Sequence, residues 1–286
     1  MASILNDVSD TALWVAVYRD RETARPDALF RDPLAGHLAG ERGKHIESQM
    51  LDSRYVSWSV VIRTHIIDSY IEKLITNEGI DTVLNLGAGL DTRPYRLSLP
   101  SHLHWVEVDF PKMIAFKEQR LSEEKPKCRL TRIGQDLSVA RERQALFARL
   151  NSESKKILVL TEGVTPYLSN EDVASLATDI RAQTHFRFWI TDYNSPDLVK
   201  RLSSARHRKK MENAPFLFNP PDWIAFFEGL KWRRREIRYI GEESEKLGRS
   251  APHPWFLKLI IKILMPVKAQ DTFKKMNGYA VMEPLE

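Results

Sequence analysis

The stretch VLNLGAGLDTRPYRL, residues 83–97, passes from an apolar strand pattern directly into a glycine turn. Two glycines one residue apart, Gly87 and Gly89, suit a backbone that a ligand approaches closely. A dinucleotide fingerprint places a third glycine three residues after the second, where helix and strand pack against each other. Here that position holds Thr92. A triphosphate-binding loop needs Gly-Lys-Ser/Thr, and the stretch has none.

Outward from this turn, strand and helix patterns alternate. Strands are expected at TVLNLGA (82–88), HWVEVDF (104–110), CRLTRIG (128–134), KILVLTEG (156–163) and FRFWITDY (186–193). Helical segments such as PKMIAFKEQRLSEE and SNEDVASLATDIRAQ lie between them. Such alternation reads as βαβ units, an α/β fold with a doubly wound, Rossmann-like, mostly parallel sheet. Two later strands are expected at RRREIRYI (233–240) and GYAVMEP (278–284). Before the first strand the chain is helix-like, with apolar residues at helical spacing in YVSWSVVIRTHIIDSYIEKLI (55–75). The expected organisation is one domain: a helical extension over 1–77 that could lid the site, a core over 78–193, and a substrate-side elaboration over 194–286.

Composition narrows the class. The chain has 286 residues, 43% hydrophobic and 28% charged, as in an ordinary globular protein. A lone cysteine, Cys128, excludes an internal disulfide and fits a reducing cytoplasm, the expected location. MASILNDVSD is polar and acidic, unlike an export signal. The net charge of +5 concentrates in KRLSSARHRKK (200–210) and KWRRREIR (231–238). Both read as solvated faces, and no nucleic-acid partner is expected. PWFLKLIIKILMP (254–266) is too short to span a bilayer and reads as an amphipathic helix packed on the sheet, so no membrane partner is expected. The histidines, His37, His45, His65 and His253 among them, are scattered and read as surface or packing residues. No metal-ligand spacing appears.

In open α/β sheets ligands bind beyond the carboxyl ends of the strands. Gly87 and Gly89 end the first strand. Asp109 ends the second, where a carboxylate can accept from both hydroxyls of a ribose or cap the helix beginning at Pro111. Asp136 and Leu137 follow the third, placed to meet an adenine amine and cover the ring. Glu162 ends the fourth. Asp91, near the start of the next helix, would repel a pyrophosphate but accept an ammonium group. S-adenosylmethionine, zwitterionic at one end and free of phosphate, suits this set. A nicotinamide-dependent oxidoreductase is disfavoured by Thr92 and Asp91.

The chain resembles the leucine carboxyl methyltransferase family of class I S-adenosylmethionine-dependent methyltransferases, and within it the bacterial branch that includes polyketide carboxyl methyltransferases. The likeness lies in VSDTALWVAVYRDRETARPDALFRDPLA (8–35), NLGAGLDTRPYRL, VEVDFP, TEGVTPYLS and the region from KWRRREIRYIGEESEKLGR to GYAVMEP. It implies that Arg63 holds the cofactor's carboxylate, that Gly87 is approached by its methionine part, and that Asp109 binds the ribose. It further implies that Asp136 and Leu137 contact adenine, and that Glu162 lies near the methionine ammonium. Thr165-Pro166 departs from the family, which more often has apolar residues before the tyrosine that corresponds to Tyr167. Tyr18, Arg19, Arg31 and Tyr167 are the candidate substrate residues, although the first three could instead lock the N-terminal helices in place. The expected activity is O-methylation of a carboxylate or hydroxyl of a small molecule such as a polyketide-like acid. A protein C-terminal carboxylate is the alternative acceptor.

Overall fold

The computed structural model describes residues 9–49, 53–202, 215–252, 264 and 266–286. Three helices come first: α1 (Ser9–Thr23), α2 (Ala35–Ser48) and α3 (Ser53–Glu78). The core follows as β1 (Thr82–Leu86), α4 (Arg93–Arg96), β2 (His104–Asp109), α5 (Pro111–Arg120), β3 (Arg129–Gly134), α6 (Ala140–Glu153), β4 (Ile157–Thr161), α7 (Asn170–Arg181) and β5 (Phe186–Asn194). Then come α8 (Pro196–Leu202), α9 (Trp223–Gly229), β6 (Trp232–Tyr239), α10 (Ile240–Lys246), α11 (Val267–Lys274) and β7 (Asn277–Pro284). All seven expected strands form, each within a residue or two of its expected limits.

The strands make one sheet in the order β3-β2-β1-β4-β5-β7-β6, parallel except for β7, which runs antiparallel to both β5 and β6. β1 and β4 are buried along their whole length, as befits central parallel strands covered on both faces. Alternation in β1 sends Val83 to one face and Leu84 and Leu86 to the other. On the first face, α3 lays Ile62, Ile66, Tyr70 and Leu74, four residues apart, against Trp105, Leu158 and Val281. On the second, Phe147 and Leu150 of α6, Leu176 and Ile180 of α7, and Phe227 of α9 pack on Val106, Val159, Trp189 and Trp232. A third cluster joins Leu13 and Val17 of α1 to Leu38 of α2 and Met113 of α5, holding the N-terminal helices against the β2 side.

The arginines of KWRRREIR lie on the edge strand β6, where Arg233 pairs with Glu283, Arg235 with Glu78, and Arg238 with Glu243. Of the other basic run, residues 203–210 lie outside the described residues, as do 254–263 and 265 of the apolar segment and His253. Among the described residues no helix is long and apolar enough to cross a membrane.

Candidate active site

Strand order reverses between β1 and β4, which opens a crevice beyond their carboxyl ends. The turn after β1 forms one side. Gly87 takes φ +68° and Gly89 φ +44°, so the two glycines do occupy left-handed backbone. Gly87 N and Ala88 N donate to Val108 O at 2.8 and 3.1 Å, which pins the turn to β2. The next residues of β2 complete the stitching. Asp109 Oδ2 accepts from Gly89 N at 2.7 Å, and Oδ1 accepts from Phe110 N at 2.7 Å. Burial pushes the Asp109 carboxyl up, against the pull of these two amides. After β3, Asp136 Oδ1 accepts from Ser138 N at 2.9 Å, and Leu137 O accepts from Arg143 Nη1 at 2.7 Å.

Beneath the crevice runs a buried chain of alternating charge. Arg19 Nε contacts Asp32 at 3.0 Å, and Arg96 reaches Asp32 at 3.9 Å and Asp68 at 2.6 Å. Arg93 Nε donates to Asp68 at 2.6 Å, while its Nη1 donates to Asp91 Oδ2 and Glu162 Oε2, each at 2.8 Å. Arg63 Nε closes the chain against Glu162 Oε1 at 3.0 Å, an ion contact without hydrogen-bond geometry. Four arginines face four carboxylates, so the chain is neutral. Burial alone would raise its acids, but Arg93, with Lys117 and Arg96, holds Asp91 down at about 2. Arg93 and Arg63 likewise hold Glu162 below its usual range.

Asp91 stands in the same wall. Its carboxylate lines the crevice but is occupied by Asn85 Nδ2, Arg93 N and Arg93 Nη1, so its charge is already compensated.

Arg63, Gly87, Gly89, Asp109, Asp136, Leu137 and Glu162 all line one cavity of about 1290 Å³, together with Arg19 and Tyr167. Two candidate substrate residues lie away from the cavity. Tyr18 is fully buried on the inner side of α1 against Trp14, and Arg31 lies on the exposed loop, donating to Thr23 O. Neither lines the cavity; each fastens the N-terminal region instead. Thr165-Pro166 opens a short 3₁₀ turn, and Pro166 O accepts from Leu217 N at 2.8 Å. That bond brings Phe216 onto Tyr167, the rings stacked with centroids 5.2 Å apart.

Sequence reasoning missed Asp192 at the end of β5, although the strand-end rule that picked Asp109 and Glu162 covers it equally. Asp192 accepts from Tyr279 OH at 2.9 Å, from Gly163 N at 3.1 Å and from Thr165 Oγ1 at 3.4 Å. It thereby fixes the turn that presents Glu162. Burial raises its carboxyl to about 6, against the opposing pull of Tyr279 and Arg63. Also missed were Trp14 and Gln135. Trp14 Nε1 and Gln135 Nε2 are buried donors without a hydrogen-bond partner among the described residues, in two side chains of the cavity wall. No histidine of the described residues lines the cavity; His37 Nε2 meets Arg120 O, and His45 meets Gln49.

A seven-stranded sheet in this order, with a glycine turn after β1, a carboxylate ending β2 and no phosphate-binding loop, defines a class I methyltransferase. The model of the leucine carboxyl methyltransferase family matches residues 12–181. A Frankia alni protein named "Putative S-adenosyl-L-methionine-dependent methyltransferase FRAAL3718" is 33% identical over 84% of this chain and 87% of its own. A Streptomyces avermitilis protein bearing the same description is 32% identical over 85% and 89%. Among solved structures, a DUF574 family protein from Streptomyces avermitilis superposes with a TM-score of 0.56 at 14% identity, covering 94% of this chain and 96% of that one, a likeness of fold. The chain belongs to the leucine carboxyl methyltransferase family. It is an S-adenosyl-L-methionine-dependent methyltransferase.

The residues present fit that cofactor. A Cβ on Gly87 would lie 2.5 Å from Val164 Cγ2, so only glycine leaves this turn undisturbed. Unpartnered donors in the wall and a paired cation and anion at one end match a ligand that is polar along its length and zwitterionic at its tip.

Proposed function

We propose that this methyltransferase esterifies the carboxylate of a small organic acid, of which polyketide-like acids are the class its family resemblance suggests. Arg63 would hold the cofactor's carboxylate through its guanidinium fork, with Glu162 beside the ammonium. Asp109 would accept from the ribose hydroxyls, and Asp136 and Leu137 would meet the adenine. When bound, S-adenosylmethionine supplies an electrophilic methyl group on a sulfonium. The chain's own contribution is then to align the acceptor and exclude water.

One observation carries the choice of acceptor. The described residues that line the cavity include no histidine, lysine or cysteine. The Tyr167 phenol there is pushed up by burial; the carboxylates of Asp91 and Glu162 are engaged by arginines, those of Asp109 and Asp136 accept from backbone amides, and that of Asp172 accepts from Ser169 at the cap of α7. A hydroxyl acceptor needs a base within reach. A carboxylate arrives ionised and needs none.

The test is methyl transfer from methyl-labelled S-adenosylmethionine to a panel of small carboxylic acids and phenols. The expected product releases labelled methanol in mild base, as an ester does. A base-stable product, or label accepted only by the C-terminus of a peptide, would overturn the reading.

A further inference from the structure

Beyond the groups assigned to the cofactor, the cavity wall carries apolar and aromatic side chains. They include Tyr55 and Val56 at the start of α3, Tyr167 and Leu168 after β4, and Phe216. Tyr167 and Phe216 present a stacked pair only 20° from parallel. Arg54 lines the same cavity.

Arg54 differs from every other described arginine that lines the cavity. Arg19 is paired with Asp32, Arg63 with Glu162, and Arg143 with Asp179. Arg54 makes neither an ion pair nor a hydrogen bond with any described residue, and it remains exposed. A guanidinium offers a rigid fork matched to a carboxylate, and its weak hydration suits a partly apolar site. The flat rings of Tyr167 and Phe216 in the same cavity would take the body of such a ligand by offset stacking.

We propose that Arg54 selects the acceptor: it pairs with the carboxylate of a flat, largely aromatic acid whose rings lie against Tyr167 and Phe216. The inference rests on the preceding reading of the acceptor as a small acid and adds the residue that recognises it. It also implies a direction. Esterification removes the acceptor's charge, so the product loses the Arg54 contact and binds less tightly than the acid.

Naphthoate and its neutral methyl ester serve as probes, titrated against the chain saturated with S-adenosylhomocysteine. The intact chain should bind the acid at least about tenfold more tightly than the ester, the scale of one charge-assisted contact in a partly apolar wall. Arg54→Gln should shrink that preference to less than about threefold, while affinity for the ester and for S-adenosylhomocysteine stays as it was. Arg54→Lys should recover part of the preference, keeping the charge without the fork. An acid preference that survives Arg54→Gln overturns the inference. So does an intact chain that binds neither probe at millimolar concentration, or both alike. Acid bound through Arg54 yet never converted to a base-labile ester would instead sink the reading of carboxylate methylation. Base-labile ester formed by Arg54→Gln at an unchanged KM would sink the role of Arg54 alone.

Discussion

Replacing Gly87 by alanine tests the geometry of the β1 turn most directly. Two costs combine. A side chain at φ +68° costs about 1–2 kcal/mol for left-handed backbone. The new Cβ would also lie 2.5 Å from Val164 Cγ2, well inside the carbon–carbon optimum of about 3.5–4.0 Å. Val164 is β-branched with a stiff χ1, so it yields only by displacing its own turn. Overpacking of this kind costs about 1–3 kcal/mol. The sum, about 2–5 kcal/mol, corresponds to a fall of roughly 4–20 °C in melting temperature for a domain of this size. Paired with Val164→Ala, which deletes the opposing methyl, the substitution should recover the overpacking share and keep the backbone share. A thermal and denaturant double-mutant cycle should therefore show a favourable coupling of about 1–3 kcal/mol. Additive effects, to within about 0.5 kcal/mol, would refute the steric argument.

Asp109→Ala should weaken S-adenosylmethionine binding by about 1.5–3 kcal/mol in calorimetry while leaving the fold intact. Unchanged affinity with a collapsed melting temperature would reduce Asp109 to a stitch between two turns. Arg63→Lys should weaken S-adenosylmethionine but leave methylthioadenosine, which lacks the carboxylate, nearly unaffected; equal losses would assign Arg63 to the fold or the adenosine end. Asp192 should give stability a pH dependence of known sign. Its folded carboxyl lies at about 6 against an ordinary value of 3.8, so the folded chain binds the extra proton between those values. That contribution is full below about pH 4 and is lost as pH rises through 6. The unfolding free energy of the unmodified chain minus that of Asp192→Asn should fall, by on the order of 3 kcal/mol, from pH 4 to pH 7. A difference that stays flat would contradict it.

The central strands β1 and β4 were legible because parallel strands buried on both faces read as short apolar runs, here followed directly by Gly87 and Glu162. The same strand-end rule located Gly87, Asp109, Asp136 and Glu162 on one cavity wall. What the sequence could not show is pairing at a distance. Arg93 lies within the opening motif beside Asp91, yet its other partners, Asp68 and Glu162, stand 25 and 69 residues away. The N-terminal signature was legible as a unit but not residue by residue. α1 brings Trp14 and Arg19 to the cavity, while Tyr18, one turn from Trp14 and against its ring, is wholly buried, so helical spacing alone does not tell which side chain reaches the cavity. Asp192 was within reach of the rule and was passed over.

The place of β7 bears on how the chain assembles as it is made. β7 is the last strand in sequence, yet it occupies an inner slot, bonded to β5 on one side and β6 on the other. At synthesis rates of about 5–20 residues per second, the connection of roughly forty residues between β6 and β7 takes about 2–8 s to emerge. Throughout that interval β5 exposes an unpaired edge from Trp189 to Asn194, and β6 has no neighbour to join. The nascent sheet therefore closes by insertion into a waiting gap, and the length of that one connection sets how long the gap stands open to other chains.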